Sequence, residues 1–142
     1  MGIEGLMKIG IATKDLDKTA SLLAEAFGLV PGEAVAYQPY GMRYRILTVG
    51  DFFIEVIEPT GSDGPIARFI EEHGEGLQHL TFKVSGIEEV MADLKSKGAR
   101  FTASAPVMVN TAIGPAKFAF MSPRGSNGVL LQLMEFQDQR PT

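Results

Sequence analysis

Cysteine is absent from the 142-residue sequence, which excludes disulfides and thiolate chemistry and leaves no thiol to mark a redox compartment. Long apolar runs are missing too. None would cross a bilayer, and the start lacks the basic and apolar zones of a secretion signal, so a soluble, cytoplasmic chain with no membrane partner is expected. Nor is there a basic excess. The formal net charge is -4, which gives no global attraction to nucleic acid or anionic lipid, and nucleic acid is not an expected partner. Histidine occurs only 2 times. His73 falls in the last turn of a short helical pattern, where a solvated cation favoured by the helix dipole is expected. His79 falls within a strand pattern and is the more chemical of the two.

What the chain does contain is a duplication. Gly76 to Val84 alternates as a strand does, and Leu6 to Thr13 is a second copy with Lys8 at the position of His79. Each copy runs into a helical stripe. The first is Leu16, Ala20, Leu23 and Phe27, with Asp15 as N-cap and Gly28 as terminator; the second is Ile87, Val90, Met91 and Leu94, with Ser85 to Glu88 in the form of a capping box and Gly98 closing it. Weak strand patterns follow at 33–38 and within 100–110. Met42–Val49 and Phe52–Glu58 are stronger and are joined at Gly50-Asp51 as a hairpin; Ala116–Met121 and 128–136 are their counterparts. Pro65 opens a short helix between the halves, with Ile66, Phe69 and Ile70 on one edge. The expectation is a single α+β domain over 1–142. It holds one βαβββ module at about 6–59, a linker helix at about 63–74 and a second module at about 76–136.

If the helices lie on one side of the sheet, the residues facing away from them line a cup. Alternation assigns Ile9, Ile11, Tyr44, Ile46, Ile54 and Val56 to the helix side in the first module, and Leu80, Phe82, Phe118, Phe120, Leu131 and Leu133 in the second. The cup then receives the cations Lys8, Arg43, Arg45, Lys83 and Lys117, together with Glu55, His79, Thr81 and Gln132. Converging cations in an acidic protein imply an anionic small molecule as ligand. The loop Met121 to Gly128 is a further candidate, because its backbone N–H groups and Arg124 suit a carboxylate or phosphate.

These residues carry a resemblance. The paired modules, with Ile9-Gly10-Ile11-Ala12 before Asp15-Leu16, then Pro65 to Ile70, Gly74 to His79 and Gly128-Val129-Leu130, resemble the vicinal oxygen chelate (glyoxalase/bleomycin resistance) superfamily over about residues 6 to 136. Within it, the chain is most similar to the methylmalonyl-CoA epimerases. The resemblance implies the cup-shaped mixed sheet and a homodimer. It also implies a divalent metal held by histidine, glutamate or glutamine, histidine and glutamate on the first, fourth, fifth and eighth strands. Those positions here are Lys8, Glu55, His79 and Gln132. A protonated lysine has no lone pair and Gln132 lacks the anionic charge, so no metal or other cofactor is expected. Of the two glutamates that exchange the proton in the epimerases, one falls on Gln132 and the other just before Gly41, at Pro39-Tyr40; neither can move it.

Three functions follow from this reading. The first is a metal-free isomerase or lyase on a carboxylate or acyl-CoA, in which Lys8 replaces the metal beside Glu55, and His79 or Glu55 is the base; Gln132, Arg43, Arg45, Lys117 and Arg124 bind the ligand. The second is a non-catalytic binding or resistance protein. The third is a metal-dependent epimerase or lyase with shifted ligands.

Overall fold

Two-residue hairpin chemistry, helix caps and strand alternation place eight strands and three helices in the computed structural model, which describes residues 2–137. In chain order these are β1 (Gly2–Ala12), α1 (Leu16–Phe27), β2 (Val35–Tyr37), β3 (Met42–Val49), β4 (Phe52–Pro59) and α2 (Pro65–His73), then β5 (Gly76–Ser85), α3 (Ile87–Ser96), β6 (Val107–Thr111), β7 (Gly114–Met121) and β8 (Leu131–Phe136). Among the described residues no helix is long and apolar enough to cross a membrane.

The chain forms two compact units: Lys8–Gln78, and residues 2–7 with 79–137. In the first unit the strand order is β2-β3-β4-β1, and in the second β5-β8-β7-β6. Each unit is a mixed sheet with the same plan. β1 runs parallel to β4 and β5 parallel to β8, whereas the remaining pairs are antiparallel. The parallel pairing follows from the helix that intervenes between each pair of strands.

Local chemistry explains most of the boundaries. Gly50 sits at φ 58°, as a tight hairpin requires, and the two-residue turn pairs Val49 with Phe52. Asp15 accepts from the Lys18 N–H at 3.1 Å as the N-cap of α1, and Gly28 ends that helix at φ 69°. Leu16 and Ala20 of α1 are buried against Leu47 and Val56, with Leu23, Leu29 and Ile54 alongside. Phe27 departs from the expected stripe. It is 70% exposed, because the chain turns at Gly28 and Leu29 takes the place against the sheet.

The cap of α3 also differs from expectation. Its N-cap is Gly86 with no side-chain bond, and Ser85 is still in β5. The Glu135 carboxylate instead accepts from the Gly86 and Ile87 N–H groups at 2.6 and 3.2 Å. The first unit repeats the device, since Glu58 accepts from the Leu16 N–H at 2.7 Å. A carboxylate from the last strand of each unit thus answers the orphan N–H groups and positive end of that unit's own helix.

Candidate functional site

Strand register decides which side chains share a face. In the first unit Ile46 is paired with Glu55 and Tyr44 with Ile57, while Leu47 is paired with Ile54 and Arg45 with Val56. Glu55 therefore looks out with Tyr44, Ile46 and Ile57, and Arg43 and Arg45 lie on the opposite face with α1. This corrects the alternation reading of β3 by one residue. The two arginines are drawn to carboxylates on that side: Arg43 Nε donates to Glu58 at 2.8 Å, and Arg45 Nη1 donates to Asp17 at 3.1 Å. The hydrogen bond and charge of Glu58 push the Arg43 guanidinium above its ordinary pKa. Tyr44, Ile46 and Ile57 pack with Ile66, Phe69 and Ile70 of α2, so this helix covers the sheet face that one-sided helices would have left open.

On that face Lys8 and Glu55 form an ion pair, with Lys8 Nζ 2.8 Å from Glu55 Oε1. Both residues are 5% exposed. Their position follows from the parallel register, in which Lys8 lies beside Phe53 and Gly10 beside Glu55. The glycine leaves no side chain between the carboxylate and the ammonium two residues back. Taking two charges from water costs several kcal/mol, and close pairing is the condition for keeping them there.

The second unit carries the equivalent positions with different chemistry. Thr81 is paired with Gln132, as Gly10 is with Glu55, and the Thr81 hydroxyl donates to Gln132 Oε1 at 2.7 Å. His79, two residues before Thr81, is 6% exposed. Its ring stands edge-on to Phe120 with centroids 5.7 Å apart. Phe120 is paired with Gln132 and Phe118 with Met134, whereas Ala119 is paired with Leu133 and packs toward α3. Phe118 and Phe120 therefore accompany His79, and Lys117 lies on the α3 side, bound to Glu88 at 2.6 Å. This is the same one-residue correction as in β3. The Lys117–Glu88 hydrogen bond raises the lysine pKa and lowers that of the glutamate. Lys83 keeps the parity of His79 but sits half-exposed, 3.9 Å from Glu4.

The loop after β7 is not an open nest of donors. The N–H groups of Gly125, Ser126, Gly128 and Val129 donate to carbonyls within the loop, and the Arg124 N–H donates to the Ser122 hydroxyl. Arg124 itself is exposed. The Ser122 N–H bonds the Arg100 carbonyl, which sets a second arginine beside the loop that alternation alone would not find.

Each unit thus presents a buried polar pair bordered by aromatic and aliphatic side chains. Among the described residues no group of three or more His, Cys, Asp or Glu side chains could hold a metal ion.

A profile of the Glyoxalase/Bleomycin resistance protein/Dioxygenase superfamily matches residues 7–120. Mitochondrial methylmalonyl-CoA epimerase of Homo sapiens is 30% identical over 129 residues, covering 90% of this chain and 72% of that one. Among solved structures, a hypothetical protein from Bacillus halodurans C-125 is 31% identical with TM-score 0.87, covering 96% of this chain and 97% of that one. A Streptomyces coelicolor methylmalonyl-CoA epimerase variant in complex with 2-nitronate-propionyl-CoA is 25% identical with TM-score 0.86, covering 94% and 98%.

Proposed function

The chain belongs to the glyoxalase/bleomycin resistance protein/dioxygenase superfamily, with the α+β paired-module fold of the vicinal oxygen chelate proteins, and from that premise we propose that it is a metal-free isomerase or lyase acting on an anionic acyl thioester. The ligand class is supported by relatives whose names and bound ligand are acyl-CoA thioesters. The observation that carries the reading is the buried Lys8–Glu55 pair.

The chemistry asked of these residues is proton exchange beside a thioester carbonyl. A base removes the α-proton, the C–H electron pair becomes the C=C bond of the enolate as the carbonyl π pair moves onto oxygen, and reprotonation of the carbon from the opposite face completes an isomerisation. Lys8 stabilises the enolate oxygen, since an ammonium fixed in a water-poor setting needs no reorganisation when charge develops. Glu55 is the assigned base and His79 the alternative. Gln132 is assigned a hydrogen bond to the ligand, and Arg124, with Arg100 nearby, a contact to its anionic groups. Arg43, Arg45 and Lys117, expected as ligand contacts, are left out of the assignment because helix-side carboxylates engage them.

The donor set does not fit a divalent ion. An ammonium at 2.8 Å from Glu55 has no lone pair and repels a second cation, and Gln132 Oε1 already accepts from Thr81. No step is therefore routed through a metal.

The test is calorimetric titration with short-chain and dicarboxylic CoA thioesters in chelator, followed by deuterium incorporation at the α-carbon in heavy water. Saturable binding with exchange, cut at least about 100-fold in Lys8→Met, is expected. Absence of thioester binding overturns the ligand class, and exchange that appears only on adding metal overturns the metal-free mechanism. Binding without exchange would establish the second reading, a sequestering protein, which one observation favours: Glu55 Oε1 is already engaged by the Lys8 ammonium at 2.8 Å.

A homodimer is part of the proposal. Leu22, Phe27 and Val30 are exposed, the kind of apolar surface that association covers. Sedimentation at micromolar concentration checks it.

A further inference from the structure

The first unit holds a carboxylate that is 5% exposed, with its cation supplied by the chain itself. A buried anion needs a positive partner wherever it comes from. Where a fold sets a carboxylate in such a place, that partner is either an exchangeable ion from solution or a side chain. The first kind leaves on dialysis or chelation, and the second cannot.

The register shows why this chain uses the second kind. Gly10 lies beside Glu55, so no side chain intervenes between the carboxylate and the Lys8 ammonium arriving from two residues along the same face of β1. In the second unit the equivalent neighbour is Thr81, whose hydroxyl meets an uncharged Gln132. That pair balances without any cation. The two units therefore differ in electrostatic demand, and lysine stands in the unit that has the carboxylate.

We propose that Lys8 is a tethered cation in the place of an exchangeable one, so that truncating it converts the protein into one that takes up a small cation from solution at Glu55. The inference deepens the metal-free reading above and rests on it. Its consequence is that the wild-type protein is indifferent to small ammonium ions, whereas Lys8→Ala is not. A truncated side chain leaves room along the former path of the lysine stem, and the carboxylate at its end selects a cation of that width.

The experiment needs neither substrate nor turnover. Thermal unfolding of wild type, Lys8→Ala, Glu55→Gln and the Lys8→Ala/Glu55→Gln double variant is measured in chelator against ammonium, n-propylammonium and tetramethylammonium. Calorimetry with cobalt runs in parallel without chelator. Lys8→Ala is expected to melt on the order of 10 °C below wild type. Saturating n-propylammonium should restore about half or more of that fall, and the bulky tetramethylammonium should not. Glu55→Gln and the double variant should show no such rise, which separates a cation at Glu55 from a general salt effect.

Stoichiometric cobalt binding by wild type overturns the inference, because an ion would then coexist with Lys8. A folded Lys8→Ala with no saturable cation response overturns it as well, as does a Lys8→Ala protein that stays unfolded at saturating n-propylammonium while the double variant folds. Failure of the thioester reading shows itself separately, as wild type that binds no CoA thioester yet keeps the cation response of Lys8→Ala.

Discussion

Lys8 is the residue on which most turns, and its worth is read by difference. Removing the ammonium while the carboxylate stays buried should cost about 3–5 kcal/mol. Urea unfolding of Lys8→Met is therefore expected to show a loss of that size, and Lys8→Met/Glu55→Leu should recover most of it, because breaking a buried ion pair costs more than replacing both of its members by apolar groups. A second carboxylate acts through hydrogen bonds. Glu75 accepts from the Lys14 N–H at 2.8 Å and the Thr13 hydroxyl at 3.0 Å, which holds its carboxyl below the ordinary 4.5. A depressed pKa means that the folded state binds its proton less readily than the unfolded chain. The contribution is complete above pH 4.5 and is lost as pH falls through the lower folded value. Stability measured from pH 6 to pH 3 should decline less steeply in Glu75→Gln than in wild type. An equal slope in the two proteins would contradict this.

Among the elements, the caps and one close approach carry the testable content. Glu135→Ala removes both bonds to the N-terminus of α3 and should destabilise by about 1–2 kcal/mol. Ser85→Ala, aimed at the residue the capping-box pattern points to, should stay within about 0.5 kcal/mol, since Ser85 makes no cap bond. Chemical denaturation of the two variants separates the carboxylate cap from the sequence pattern. At the start of α2, a Cβ on Gly64 would overlap the Tyr40 carbonyl oxygen, so the backbone must shift. Gly64→Ala is expected to lose about 1–3 kcal/mol by the same measurement. The pattern suggested a capping box because serine and glutamate stand three apart. It could not show that a strand 49 residues after Gly86 delivers a carboxylate to the Gly86 and Ile87 N–H groups.

For the molecule as a whole, each compact unit keeps its most protected backbone where strands are paired on both sides. Hydrogen exchange should be slowest in β4, flanked by β3 and β1, and in β8, flanked by β5 and β7; the edge strands β2 and β6 should exchange far faster. Exchange in Val35–Tyr37 as slow as in Phe52–Pro59 would contradict this arrangement. The duplication, the order of elements and the identities of Lys8, Glu55, His79 and Gln132 as corresponding positions were determined by the sequence alone, because alternation, glycine and proline punctuation and repeat spacing are local. Even the correct phase of β3 was within reach: a two-residue turn at Gly50-Asp51 pairs Val49 with Phe52, and counting back sets Ile46 opposite Glu55. Alternation read without that count set Tyr44 and Ile46 on the helix side instead. Tertiary structure decided otherwise, since Asp17, Glu58 and Glu88 wait there for Arg43, Arg45 and Lys117. It also decided that α2 covers the face of Glu55 and that Lys8 reaches its carboxylate at 2.8 Å, because which charge meets which depends on packing between elements distant in the chain.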